Sequence, residues 1–139
     1  MFVLDTNILS AMMQLGRVPE VAAWMAAQDE ERLFTTTVSQ AEILAGLAVM
    51  ADGRRRRDLE KSAGDMFEDF EGRILSFDTG AAAAYAELFA LRRRSGRPAA
   101  PLDLMIASIA HAQGASMVTR NVDDFAGCGL TVINPWETS

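Results

Sequence analysis

The reading of the fold turns on the opening stretch Phe2-Val3-Leu4-Asp5-Thr6-Asn7-Ile8-Leu9. Three apolar residues that stop at an acid read as a short buried strand. Thr6 and Asn7 then offer capping side chains, and Ile8 to Leu15 reads as a short helix ended by Gly16. The rest of the chain repeats this alternation. Pro19 sits where a helix accepts proline, in the first turn, with Val21, Trp24 and Met25 following at helical spacing. Leu33 to Val38 is a threonine- and valine-rich strand. Ser39-Gln40-Ala41-Glu42 has the form of a capping box opening a helix with Ile43, Leu44 and Leu47 as its stripe. A charged helix follows from about Arg54 to Phe70, then a strand at Ile74 to Phe77. Asp78 can cap an alanine-rich helix from Thr79 to about Arg94. Pro101 begins another helix, which Gly114 ends. Strands at Ser116 to Thr119 and Leu130 to Ile133 flank a polar connection, Asn121 to Gly129, with room for a helical turn.

Such alternation predicts an α/β fold with a mainly parallel sheet of about five strands, covered by helices on both faces. The 139 residues fit one domain without linkers or repeats. The 50% apolar and 23% charged residues exclude a disordered chain, collagen and a coiled coil. The single cysteine, Cys128, forbids an internal disulfide and reads as a packing residue. No basic flank or long apolar run marks a signal peptide or membrane span, so a reducing cytoplasm is expected. A net charge of −6 argues against a generic nucleic-acid coat but not against an enzyme that meets phosphates through bound cations.

In parallel α/β sheets, ligands lie beyond the carboxyl ends of the strands. Strand C-termini and helix N-termini share that edge. Asp5 follows the first strand, Glu42 and Asp103 lie in first helical turns, and Asp124 lies in the loop after the fourth strand. Each acid has an ordinary explanation as a cap or a helix-dipole partner. Their convergence does not. Two carboxylates about 5 Å apart repel by roughly 3 kcal/mol at an effective dielectric near 20. A nest of four takes up protons or gathers a divalent cation. Oxygen ligands without histidine or cysteine select Mg²⁺ or Mn²⁺, which points to metal-assisted hydrolysis at phosphate.

Other chemistries find little support. His111 is the only histidine, on an alanine-flanked helix, and no Gly-x-Ser-x-Gly elbow accompanies it. No dinucleotide or phosphate-loop motif occurs, and Lys61 is the only lysine. Arg54 to Arg57, and Arg92 to Arg94 with Arg97, read either as solvated helix faces or as phosphate contacts along an RNA strand.

With these residues in view, the chain resembles a PIN-domain ribonuclease, the toxin half of a VapBC-type toxin–antitoxin pair. The resemblance rests on Val3-Leu4-Asp5-Thr6-Asn7, on Ser39-Gln40-Ala41-Glu42-Ile43 with Gly46, and on Leu102-Asp103-Leu104-Met105-Ile106-Ala107. Thr119-Arg120-Asn121-Val122-Asp123-Asp124-Phe125 with Asn134-Pro135-Trp136 is similar to the FitB-like branch. The match runs from end to end. It implies a three-layer α/β/α PIN-like fold, an acidic Mg²⁺ pocket, RNA cleavage, a homodimer, and inhibition by a small DNA-binding antitoxin. Asp5, Glu42 and Asp103 match the family's three strongest acids, and Asp124 is the choice for the fourth, with Asp123 and Asn121 as alternatives. Thr6 and Thr119 match hydroxyl positions near the metal. Asp5 and Asp103 are expected to hold the ion directly.

Two other readings compete. In an aspartyl-nucleophile phosphatase Asp5 would attack phosphate, but a second acid is usual two residues on, where this chain has Asn7. A non-catalytic module would bind RNA or protein through a retained acidic pocket. The Ile8, Leu9, Met12, Met13 stripe or the alanine-rich helix serves either a two-fold interface or the core.

Overall fold

The structure, a computed structural model, describes residues 1–14 and 17–137. Strand β1 (Phe2–Leu4) is followed by α1 (Thr6–Met13), α2 (Pro19–Ala26), β2 (Leu33–Thr36), α3 (Thr37–Ala48) and α4 (Arg54–Asp69). Then come β3 (Ile74–Leu75), α5 (Thr79–Arg94), α6 (Pro101–Ala112), β4 (Ser116–Val118) and β5 (Val132–Ile133). Short 3₁₀ turns at Glu30–Arg32 and Val122–Phe125 precede β2 and follow β4. The strands form one sheet in the order β3-β2-β1-β4-β5, and every pairing is parallel. No helix of the described residues is long and apolar enough to cross a membrane.

Residues next to each other on a strand face opposite sides of a sheet, and that rule builds three layers. Val3 and Met117 pack with Ala81, Leu88, Leu104 and Ile106 of α5 and α6 on one face. Leu4 and Val118 pack with Ile8, Leu9, Val21, Leu47 and Met66 of α1 to α4 on the other. Ile8 and Leu9 are fully buried, so these two members of the α1 stripe belong to the core and present no surface to a partner. Cys128 is buried too, as a packing residue.

The chain first winds from β1 through β2 to β3 and then returns to place β4 on the other side of β1. Right-handed crossovers laid in opposite directions cover opposite faces. A crevice therefore opens between β1 and β4, beyond their carboxyl ends, where the winding reverses.

Several boundaries differ from expectation, each for a local reason. Helix α1 begins at Thr6, because Asp5 itself is the cap and accepts the Thr6 N–H at 2.8 Å. The expected end of that helix at Leu15 and Gly16 lies outside the described residues. Strand β2 stops at Thr36, and α3 begins two residues before Ser39, because Thr36 Oγ1 accepts the Ser39 N–H at 3.1 Å. The capping box read at Ser39 is thus displaced, and Glu42 is free for other work. The edge strands β3 and β5 have two residues each. Phe77 instead leaves the sheet to meet Tyr85 edge-on at 6.1 Å. The cap at Asp78 and the helix start at Pro101 stand as expected, with Asp78 Oδ1 accepting the Ala81 N–H at 2.9 Å. Gly114 follows α6 at φ +64°, a left-handed value that costs glycine little.

Candidate active site

Asp5 stands at the mouth of the β1/β4 crevice and is only 3% exposed. Burying an ionised carboxylate is costly unless its lone pairs find partners, and here three of about four do. Oδ1 accepts the Thr6 N–H; Oδ2 accepts the Thr119 hydroxyl at 2.8 Å and the Asn7 amide at 3.2 Å. Thr119 follows β4 and is fully buried. Its hydroxyl in turn accepts the Asn7 amide at 3.2 Å and the Asn121 N–H at 3.0 Å, which uses all its capacity. Asn7 Oδ1 accepts the Arg120 N–H at 3.2 Å. One buried network therefore ties the ends of β1 and β4 together across the point where the winding reverses.

A second network joins α1 to α3. Thr6 Oγ1 lies 2.7 Å from Glu42 Oε1 and 3.0 Å from Ser39 Oγ. Its one proton best serves the carboxylate, the stronger acceptor. Thr6 thus binds Asp5 through its backbone and Glu42 through its side chain. Glu42 is half-buried. It lines hollows on both sides, one of about 290 Å³ with Ser10, Gly46 and Leu59, another of about 590 Å³ with Phe77, Leu102 and Met105.

Electrostatics joins the remaining acids to these. Burial, opposed by the Thr119 and Thr6 hydrogen bonds and reinforced by the charges of Asp103 and Glu42, pushes the Asp5 carboxyl from its ordinary 3.8 up to about 6. The Asp103 carboxyl, in the first turn of α6, is also raised, first by burial and then by the charges of Glu42 and Asp124. Asp5, Glu42, Asp103 and Asp124 therefore share one field, with Asp124 exposed at its outer end. Asp123 is exposed on the same 3₁₀ turn, and Asn121 turns its backbone N–H to Thr119.

Among the described residues, no three histidine, cysteine, aspartate or glutamate side chains close tightly enough round one point to cage an ion. A cage is not what Mg²⁺ requires, since it keeps several waters and takes one or two carboxylates. An all-carboxylate donor set around a repulsive pocket fits such a hydrated, hard cation. His111 is in the last turn of α6, at the other end of that helix from Asp103.

The arginine clusters divide. Arg54 and Arg56 pair with Asp58, Asp52 and Glu60 along α4. Arg92, expected on a solvated face or against phosphate, is buried and donates to the Ala126 carbonyl at 2.7 Å. Sequence reasoning missed Asn7 and Ser39 as site residues. For Asn7 the signal was its place two residues after Asp5, within side-chain reach of the cap it supports.

A model of the family described as "PIN domain" matches residues 2–127. The chain is 41% identical to the plasmid stability protein StbB of Pseudomonas syringae pv. tomato over 99% of both proteins. It is 38% identical to the VapC ribonuclease Y4jK of Sinorhizobium fredii, again over 99% of each. It superposes on the crystal structure of FitAcB from Neisseria gonorrhoeae with a TM-score of 0.92 at 29% identity, covering 99% of this chain and 100% of that one. The resemblance read from the four motifs is thereby established: the chain belongs to the PIN-domain family, among its VapC and FitB toxins.

Proposed function

We propose that this protein is a ribonuclease that hydrolyses RNA phosphodiesters with Mg²⁺ or Mn²⁺, as the toxin of a toxin–antitoxin pair. The observation that carries the reading is the shared field of Asp5, Glu42, Asp103 and Asp124. The four carboxylates come from four separate segments, and the charges of their neighbours add to burial in raising the Asp5 and Asp103 carboxyls, which suits a site that attracts a divalent cation. The relative named VapC ribonuclease supports the reaction class.

Asp5 and Asp103 would hold the ion, with Glu42 and Asp124 completing its surroundings through water. A bound ion would supply a more acidic water and offset charge gathering on the phosphate oxygens. The protein's own part is orientation. Asp5 cannot swing, because three donors from Thr6, Asn7 and Thr119 fix both its oxygens. Thr6 holds Glu42 at a set distance from Asp5. A carboxylate of the cluster would take the proton of the attacking water. No histidine and no 2′-hydroxyl is needed, so the products should carry a 5′-phosphate and a 3′-hydroxyl.

The structural neighbours are toxin–antitoxin complexes, and a small DNA-binding antitoxin is the expected inhibitor here, with a homodimer as the toxin's own assembly. A basic side chain placed among the four acids would replace the cation's charge.

The test is cleavage of single-stranded RNA by purified protein with Mg²⁺, with Mn²⁺ and with EDTA, followed by analysis of the product ends. Cleavage lost in EDTA and 5′-phosphate ends are expected. Cyclic phosphate ends, or full activity in Asp103→Asn, would sink the mechanism.

A further inference from the structure

Among the described residues three arginines lie over aromatic rings, and their free donors differ. Arg73 lies 5.0 Å over Phe70, but its guanidinium is spent on the Glu30, Leu33 and Asp69 carbonyls and the Glu30 carboxylate. Arg32 lies 4.9 Å over Phe2, at the amino end of β2 and so on the opposite edge of the sheet from the acids. Arg120 lies 4.9 Å over Trp136, one residue after Thr119.

The backbone of Arg120 is pinned to the site. Its N–H donates to Asn7 Oδ1, and its carbonyl accepts from Asn134 Nδ2 at 3.5 Å. Asn134 also holds the platform, since its Oδ1 accepts the Trp136 N–H at 3.0 Å. Trp136 is half-buried against the core on the α1 face, so it is a firm support. Arg120 is exposed, and its guanidinium has no hydrogen-bond or ion-pair partner among the described residues. A guanidinium seated over a ring makes no hydrogen bond to it, so its N–H donors stay available in the fork that matches two phosphate oxygens. The stack also settles side-chain entropy before any ligand arrives. The sequence Asn134-Pro135-Trp136 thus acquires a purpose that the four acids do not explain.

We propose that Arg120, held over Trp136, is a phosphate-binding subsite for single-stranded RNA, gripping a phosphodiester neighbouring the one that is cut. The inference rests on the ribonuclease reading and adds what that reading lacks. A polyanion must approach a chain of net charge −6 beside four carboxylates, and Arg120 is a pre-ordered cation at their rim.

The test is fluorescence anisotropy of a labelled 12-nucleotide single-stranded RNA, across a salt series in Mg²⁺, with Asp103→Asn as the parent so that the strand is not cut. Arg120→Ala should weaken binding about five- to tenfold at 0.1 M salt. It should also make the slope of log affinity against log salt shallower by about 0.7, the loss of one single-strand phosphate contact. Arg120→Lys, which keeps the backbone bonds and the charge, should keep the slope and lose part of the affinity. Trp136→Leu should weaken binding without changing the slope. Lys61→Ala, which removes an exposed cation paired with Asp65, should change neither. An unchanged slope in Arg120→Ala overturns the subsite even if the protein cuts RNA. Absence of cleavage by the protein with Asp103 intact, with the slope change present, overturns the ribonuclease reading and leaves an RNA-binding subsite. If Arg120→Ala binds RNA like its parent but no longer holds a co-purified antitoxin, the arginine is a protein-docking residue and the proposal fails.

Discussion

At the amino edge of the sheet, Arg73 reaches across from the start of β3 and gives its donors to the Glu30, Leu33 and Asp69 carbonyls. Phe2 closes that edge under Arg32 and meets Trp24 edge-on at 5.2 Å. At the carboxyl edge, Asp5 is just as thoroughly bonded, yet its carboxyl is pushed up to about 6 because burial and neighbouring anions outweigh its three donors. Both edges surround a charged group with hydrogen bonds, Asp5 buried and Arg73 half-buried. The amino edge places its cation among partial negative charges and gains stability. The carboxyl edge gathers like charges and loses it. That difference separates a strap from a site, since a region that works against its own stability needs another reason to persist.

The largest effect expected from this contrast is on cleavage. Asp5→Asn or Asp103→Asn should lower RNA cleavage about a thousandfold, near 4 kcal/mol of transition-state stabilisation. Circular dichroism should show both variants folded. An unfolded Asp103→Asn protein would make that acid a support of the fold and erase the contrast.

Next comes pH. The folded Asp5 carboxyl releases its proton near 6, whereas the unfolded one does so near its ordinary 3.8. Between these values the folded state holds more protons, so stability falls as pH rises through the window. The fall attributable to Asp5 is about 3 kcal/mol, fully present above pH 6, and the raised Asp103 carboxyl adds to it with the same sign. Urea titrations of metal-free protein at pH 4, 5, 6 and 7 should show the decline, Asp5→Asn should reduce it, and Mg²⁺ at pH 7 should oppose it. A flat profile would mean that burial and neighbouring charge do not hold a proton on Asp5.

At the other edge, Arg73→Ala should cost about 1 kcal/mol of stability, because the charged hydrogen bonds it loses to the Glu30, Leu33 and Asp69 carbonyls are only partly shielded from water. Cleavage per folded molecule should stay as it was. A matching loss of activity would show that the two edges are coupled through β2.

Much of this arrangement was legible in the sequence because it depends on order along the chain. Alternating apolar runs and caps gave the layers, and the rule for parallel sheets put Asp5, Glu42, Asp103 and Asp124 at one edge before any coordinate was known. What stayed hidden depends on side-chain reach across the sheet. Nothing in the letters says that Asn7 bridges Asp5, Thr119 and the Arg120 N–H, because the last two lie 112 and 113 positions from it. Nor did the basic run from Arg92 reveal that its first member is buried against Ala126. A helical wheel depends on spacing, and the long reach of an arginine escapes it.

The smallest predicted effect concerns the start of α3, where two hydroxyls three residues apart competed for the role of cap. The Ser39-x-x-Glu42 pattern favours Ser39, but Thr36 ends a strand, has extended backbone and presents Oγ1 to the Ser39 N–H. The strand end determines which hydroxyl can face the helix axis, and sequence pattern does not carry that information. Thr36→Ala should therefore cost about 1 kcal/mol, the usual worth of a cap, and should speed hydrogen exchange at the Ser39 amide. Ser39→Ala should leave that amide protected and act instead on Thr6 and Glu42, lowering cleavage more than stability. If Ser39→Ala is the variant that loosens the helix start, the cap belongs to Ser39. Glu42 would then be half of a capping box, and the carboxyl edge would hold one acid fewer for its chemistry.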